Sequence, residues 1–302
     1  MMTDTHKVTV VVATYRRNES LSRALASLLA QTYGNLEIII VDDNADAEWN
    51  ERVRSIVEKY VQTASVGYTI RLIQNESNLG SAKSRNRAIF EATGDYITFL
   101  DDDDIYLSEK VGTQVRNLIT NDADYGITDL YLYTEDETPC SKRIRDYIRS
   151  YQSEDLIKYH LLHHMTGTDT FMFKTSYLQK IGGFVGADEG DEFYLMRDAI
   201  LAGGKLSYLP ECHIKAYIHQ GETTGLSCGE RKIKGEIALL AEKQKLFHYL
   251  SPKERRYILM RHHAVVAYAE LRRGKKLGFL LRALRSLLSS PIECIGLLKN
   301  RC

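Results

Sequence analysis

Val8-Thr9-Val10-Val11-Val12-Ala13 is an unbroken run of small and β-branched residues. This is the pattern of a strand buried on both faces of a parallel sheet, not of an alternating surface strand. The pattern changes at Thr14-Tyr15-Arg16-Arg17, and from Glu19 Leu21, Leu25, Leu28 and Leu29 recur at helical spacing, with Asn18 available as an N-cap. Leu36 to Val41 predicts a second buried strand that stops on Asp42-Asp43-Asn44. A helical stretch near 48–60, a strand over Thr69–Ile73, a helix from Ser81 to Ala92 closed by Gly94, and a strand over Tyr96–Leu100 follow. Strand alternating with helix predicts a doubly wound α/β sheet.

After Asp104 the pattern is weaker. Leu206–Leu209 and His213–Ile218 predict two further strands, with Gly182-Gly183 and Gly203-Gly204 as turns, so the sheet is expected to continue as a mixed one. From about Glu230 the chain turns helical, and a boundary is placed there: a catalytic domain over 1–230, divided into halves 1–110 and 111–230, and a helical appendage over 231–302. Charge sharpens that division. The formal net charge is zero, but residues 1–230 carry 23 basic and 35 acidic groups and residues 231–302 carry 17 and 5, so neutrality does not exclude an anionic partner. Five cysteines, odd in number and absent before Cys140, form neither a disulfide framework nor a CxxC metal site and suggest a reducing cytosol. The longest stretch free of Asp, Glu, Lys and Arg, Ala24–Leu36, is too short to span a bilayer. His163-His164 and His262-His263 have no carboxylate or cysteine at metal spacing and read as packing or surface residues.

In sheets of this kind ligands bind beyond the carboxyl ends of the strands, which singles out Thr14-Tyr15, Asp42-Asp43, Asn75–Gly80 and Asp101–Asp104. Four consecutive carboxylates after an apolar strand repel one another unless cations neutralise them, and hard oxygen ligands suit Mg²⁺ or Mn²⁺. A solvated acidic loop is the alternative reading. Asp42-Asp43 at a neighbouring strand end can accept from a base N–H or a ribose hydroxyl. Lys83, Arg85 and Arg87 open the helix after Gly80, where free N–H groups already favour phosphate oxygens. Together these features describe a nucleoside-diphosphate site.

The ordered set Val11–Arg17, Ile40–Asn44, Asn78-Leu79-Gly80 through Ser84-Arg85-Asn86, Gly94–Ile97 and Asp101-Asp102-Asp103 resembles the signature of glycosyltransferase family 2 over about residues 7–110, with weaker similarity to about 230. The resemblance implies a GT-A fold: an α/β, mainly parallel mixed sheet flanked by helices, here followed by the C-terminal helical appendage. It also implies that Thr14 and Tyr15 line the nucleoside pocket, that Asp43 meets the uracil, Arg85 the diphosphate, Asp101 or Asp102 the ribose and Asp103 the metal, with Asp104 leaving the Asp-X-Asp register ambiguous by one. Gly182-Gly183-Phe184 followed by Asp191-Glu192 resembles the segment that supplies the acceptor-side base, with the two acids in reversed order, so both are carried. His219, at a strand end before the Gly- and Ser-containing stretch 220–229, resembles a residue that contacts the metal or diphosphate in some GT-A enzymes.

The implied activity is metal-dependent inverting transfer from a UDP-sugar to a hydroxyl of a glycan or lipid-linked acceptor, in the biosynthesis of a cell-surface polysaccharide, at the cytoplasmic side of a membrane. Its rivals are a nucleotidyltransferase and a catalytically silent sugar-nucleotide-binding protein. The absence of a Gln-x-x-Arg-Trp segment argues against a processive synthase, and nucleic acid is excluded as a partner because aromatic interleaving is missing. The basic, leucine-bearing tail over 272–302 has two readings, peripheral membrane contact or packing of its leucines on the catalytic domain.

Overall fold

A computed structural model describes residues 5–186, 190–218 and 229–299 of the 302. Its elements, in chain order, are β1 (Val8–Thr14), α1 (Glu19–Leu29), β2 (Leu36–Asp42), α2 (Ala47–Thr63), β3 (Tyr68–Gln74), α3 (Ser81–Glu91), β4 (Tyr96–Phe99) and β5 (Ile105–Tyr106). Then come α4 (Lys110–Thr120), β6 (Tyr125–Thr134), β7 (Pro139–Arg143), α5 (Ser153–His163), β8 (Met172–Lys174), α6 (Thr175–Lys180), α7 (Asp191–Leu201), β9 (Leu206–Ile218), α8 (Gly229–Lys245), α9 (Pro252–Arg272), α10 (Lys276–Ser289) and α11 (Pro291–Lys299). The described residues divide into two compact units, one of 5–151, 166–186 and 194–218, the other of 152–165, 190–193 and 229–299.

The first unit holds the sheet, in the order β3-β2-β1-β4-β8-β6-β9-β5 with β7 paired to β6. The strands β1, β2, β3 and β4 are parallel neighbours, and β8 joins β4 and β6 antiparallel, so the sheet is mixed as expected. All of Val8, Val10, Val12, Ile38, Ile39 and Ile40 are fully buried, which is why β1 and β2 read as unbroken apolar runs. On α1, Leu21, Leu25 and Leu28 point into the same core. Asn18 does occupy the N-cap position of α1, but its backbone is already helical and its side chain makes no capping bond. Asp46 caps α2 instead, accepting from the N–H groups of Glu48 and Trp49 at 3.1 Å each.

Register fixes the position of the site. Thr14 pairs with Asp42 and Asp42 with Gln74, so the first three strands end level and their following residues emerge along one edge. The two strands expected over 206–218 are one, β9: its ladder to β6 steps from Leu209 to Cys212, a bulge that takes up Pro210, which cannot donate to a ladder.

In the second unit, α9 begins with a capping box in which Ser251 and Glu254 bond reciprocally, and Lys158 of α5 pairs with Glu254 at 2.8 Å. No helix of the described residues is long and apolar enough to cross a membrane.

Candidate nucleotide and cation site

The edge formed by the ends of β1, β2, β3 and β4 gathers most of the singled-out residues of the first unit. After β4, Asp101 receives the guanidinium of Arg85 at 2.5 Å, and Arg85 lies over the ring of Phe184 at 5.3 Å. Phe184 is fixed in turn: it packs edge-on against Phe99, and the Asn86 amide accepts from its N–H at 2.8 Å and donates to its carbonyl at 2.7 Å. Gly183 has φ +70° and lies so close to Asn86 that a Cβ would collide with the amide oxygen. The Gly-Gly-Phe turn is therefore a fitted support for Arg85, whose guanidinium is held by Asp101 on one side and lies over the Phe184 ring on the other.

Thr14 donates to Asp102 at 2.7 Å. Arg17 spans Asp102 and Asp103, at 3.8 Å and 3.1 Å. Burial pushes the Asp102 carboxyl up to about 7, with the charges of Asp103 and Asp101 adding to it and the Thr14 hydroxyl and Arg17 opposing. Tyr15, directly after Thr14 at the end of β1, is 45% exposed. Arg16 lies over the Tyr15 ring and its N–H donates to Asn44 at 2.6 Å.

Asp43 is buried, and its carboxylate accepts from Asn75 at 2.7 Å and from the N–H groups of Leu79 and Gly80, both at 2.8 Å. Its carbonyl accepts from Asn78 as well. The carboxylate therefore fixes the 75–80 loop that leads into α3. Arg87 secures the same loop from below, donating to the Gln74 carbonyl and the Asn75 side chain.

Carboxyl oxygens of Asp101, Asp104 and Asp169 lie within 4.8 Å of one another. Asp169 precedes β8, accepts the N–H of Asp101 at 2.7 Å and bonds to Asp104, which accepts the N–H of Tyr217 at 2.8 Å. Burial, then the neighbouring charges of Asp101 and Asp103, pushes Asp104 up to about 7; burial and the charges of Asp101 and Asp104 hold Asp169 well above the usual carboxylate range. Behind them Lys110 is fully buried and donates to Thr98 at 2.6 Å and Tyr106 at 2.7 Å, while burial holds its amine well below the ordinary lysine value. Three converging acids, two of them raised by burial and by neighbouring carboxylates, form a donor set suited to a hard divalent cation.

The arrangement differs from the sequence expectation in detail. Asp103 lies on Arg17 and outside the three converging acids. Asp191 and Glu192 open α7 and fall in the second unit, as the first two residues of that helix, where carboxylates meet a favourable dipole. His219 lies outside the described residues. Sequence reasoning missed Asp169, Lys110 and the role of Arg17. Asp169 stands alone between Thr168 and Thr170 with no motif around it, and only its place before the apolar Phe171-Met172-Phe173 marks it as a strand-end acid.

The sequence pattern of glycosyl transferase family 2 matches residues 9–182. An uncharacterized glycosyltransferase of Methanocaldococcus jannaschii is 32% identical over 176 residues, 58% of this chain and 58% of its own length. The Escherichia coli enzyme WfgD, a UDP-Glc:alpha-D-GlcNAc-diphosphoundecaprenol beta-1,3-glucosyltransferase, is 29% identical over 122 residues, 40% of this chain and 45% of its own length. The chain thus spans about half the length of these curated relatives. Among solved structures, the mannosyltransferase PcManGT of Pyrobaculum calidifontis in complex with GDP-Man and Mn²⁺ superposes with a TM-score of 0.60 at 17% identity, covering 97% of this chain and 88% of that one. That likeness concerns the fold, which is GT-A as the sequence led us to expect.

Proposed function

The chain belongs to glycosyl transferase family 2, and from that membership we propose that it is an inverting enzyme that moves a sugar from a UDP-sugar to a hydroxyl of a glycan or lipid-linked acceptor, with Mg²⁺ or Mn²⁺ bound, in the assembly of a cell-surface polysaccharide. The observation that carries the reading is the juxtaposition of Arg85 of α3 with Asp101 after β4, and of Asp101 with the Asp104–Asp169 pair. A guanidinium beside clustered acids suits a diphosphate that arrives with its counter-cation. A relative named for UDP-Glc and a diphosphoundecaprenol-linked substrate, and a structural neighbour holding GDP-Man and Mn²⁺, support a nucleotide-sugar donor and a divalent ion.

In this reading Tyr15 and Thr14 line the nucleoside pocket, the first by its exposed ring, and Asp43 acts there both as base reader and as anchor of the 75–80 loop. Asp101 or Asp102 meets the ribose, and Arg85 binds the diphosphate. Asp103 would hold the ion, with His219 as a further contact, and the converging carboxyls of Asp101, Asp104 and Asp169 offer a neighbouring set of oxygen donors. When bound, the cation offsets the charge that builds on the departing diphosphate. Direct displacement at the anomeric carbon needs a carboxylate that takes the proton of the acceptor hydroxyl, and Asp191 and Glu192 are the two candidates.

Incubation with Mn²⁺ and a panel of nucleotide sugars, with nucleotide release as the readout, tests the reading. Release of UDP from a UDP-sugar is expected, and pyrophosphate as the product would identify a nucleotidyltransferase instead. Of Asp191→Asn and Glu192→Gln, one is expected to abolish turnover while donor binding survives; full turnover in both would place the base elsewhere.

A further inference from the structure

The helix α10 is oriented the wrong way round for a soluble protein. At about 100° per residue, Leu277, Leu280, Leu281, Leu284, Leu287 and Leu288 fall in one arc of about 120°, and all six are exposed, by 40% to 72%. The side that packs on α9 is nearly opposite and carries Ser286, which is 1% exposed and donates to the Met260 carbonyl at 2.8 Å, with Phe279 and Ala283 half-buried beside it. An ordinary surface helix sends its leucines inward and its small and polar residues out. Here the leucines point out, and Ile292 and Ile295 of α11 extend the exposed apolar surface, at 84% and 49%.

Charge indicates what covers this face. Between Leu271 and Cys302 the chain has eight basic residues and a single acid, Glu293, and α10 itself has none. An exposed helix in water gains from mixed charges on its surface; α10 has only cations. Lys276 lies about 20° beyond one edge of the leucine arc and Arg285 about 40° beyond the other, so each can lay its aliphatic stem along an apolar layer and keep its charge outside it. A second copy of the chain on the same face would bring these cations against their own equivalents. Fourteen residues of helix reach about 21 Å, short of a bilayer's apolar core of about 30 Å, so the helix is suited to lie on a membrane rather than cross it.

We propose that the leucine face of α10, continued by α11, is a docking surface for a bilayer containing anionic lipid, with α10 lying in the plane of the membrane, its leucines at the acyl boundary and Lys276 and Arg285 at the phosphates. This goes beyond the proposed sugar transfer and does not depend on it: the face would hold the protein at a lipid surface whatever donor it uses.

Flotation of the full chain with vesicles tests this, using phosphatidylglycerol–phosphatidylethanolamine mixtures against pure phosphatidylcholine. The wild type is expected to float with the anionic vesicles and to be released as salt rises. Leu280→Gln with Leu284→Gln, both at exposed positions, should lower the partition coefficient roughly tenfold or more with the thermal transition unchanged. Lys276→Gln with Arg285→Gln should lower it by a few-fold per charge removed. A wild type that floats with neither vesicle, or equally with both, overturns the proposal, as does a leucine variant that floats like the wild type. A concentration-dependent dimer in light scattering that the leucine variant dissociates would assign the face to a second copy instead.

Discussion

At the scale of single residues, carboxylates in this chain divide by what surrounds them. Glu37 is almost wholly buried within the sheet, yet its carboxyl is held below the usual range: burial raises it, but bonds from Thr9 at 2.6 Å and from the Thr93 N–H and hydroxyl, together with the charge of Arg71 at 3.2 Å, outweigh that. A depressed value means stability that is present above the ordinary glutamate range and lost as pH falls through it. Glu37→Gln should therefore destabilise the protein by about 2 kcal/mol at neutral pH, the scale of a charged hydrogen-bond acceptor lost from a buried site, and by less near pH 3, as urea unfolding at the two pH values would show. Asp102, Asp104 and Asp169 show the opposite behaviour, raised by burial and then by neighbouring carboxylates: Asp101 and Asp103 for the first two, Asp101 and Asp104 for the third. The strand-end acids were legible in the sequence because they follow apolar runs directly. Asp169 was not, since it reaches the cluster only through the antiparallel pairing of β8 with β4, a long-range contact that local pattern does not encode.

At the scale of elements, the parallel half was readable and the second half was not, for one physical reason. Strands β1 and β2 are covered on both faces and so carry unbroken apolar runs, whereas β6 and β9 pair with partners of both senses, have mixed burial along their length and interrupt their ladder at a bulge. Two strands were expected, over 206–209 and 213–218, and the sheet joins them as one strand with Pro210 absorbed as an irregularity. The Gly-Gly-Phe turn was visible as a turn, but its use as a support for Arg85 depends on Asn86 across the sheet edge. Gly183→Ala should strain a left-handed backbone and push on that amide at once. Circular dichroism melts are expected to show a loss of about 2 kcal/mol or more, accompanied by weaker nucleotide binding in the fraction that folds. Asn86→Ala should weaken nucleotide binding with a smaller loss of stability.

At the scale of the whole molecule, the zero net charge is a sum of two unlike parts, −12 over residues 1–230 and +12 over 231–302. Within the second unit a cavity of about 200 Å³ is lined by His164, Glu236, Lys243, Arg261 and His262 among others. Burial, then the neighbouring His263, pushes His262 down to about 4, with Glu236 opposing, and burial with Lys243 holds His164 well below its ordinary value. Between pH 6.5 and 4 the unfolded chain therefore binds protons that the folded unit refuses, so its stability falls as pH falls through that window. Thermal melts at pH 7.5 and 5 should show the loss, and His262→Gln should reduce it.

The strand-end acids and Arg85 are expected to bind a nucleoside diphosphate together with a divalent cation. Calorimetric titration of UDP in Mn²⁺, with and without chelator, tests this most directly on the wild type, Asp103→Ala and Asp43→Ala. Binding by the wild type should require the metal and be lost in both variants; unchanged metal-dependent affinity in the two variants would overturn this assignment of the site.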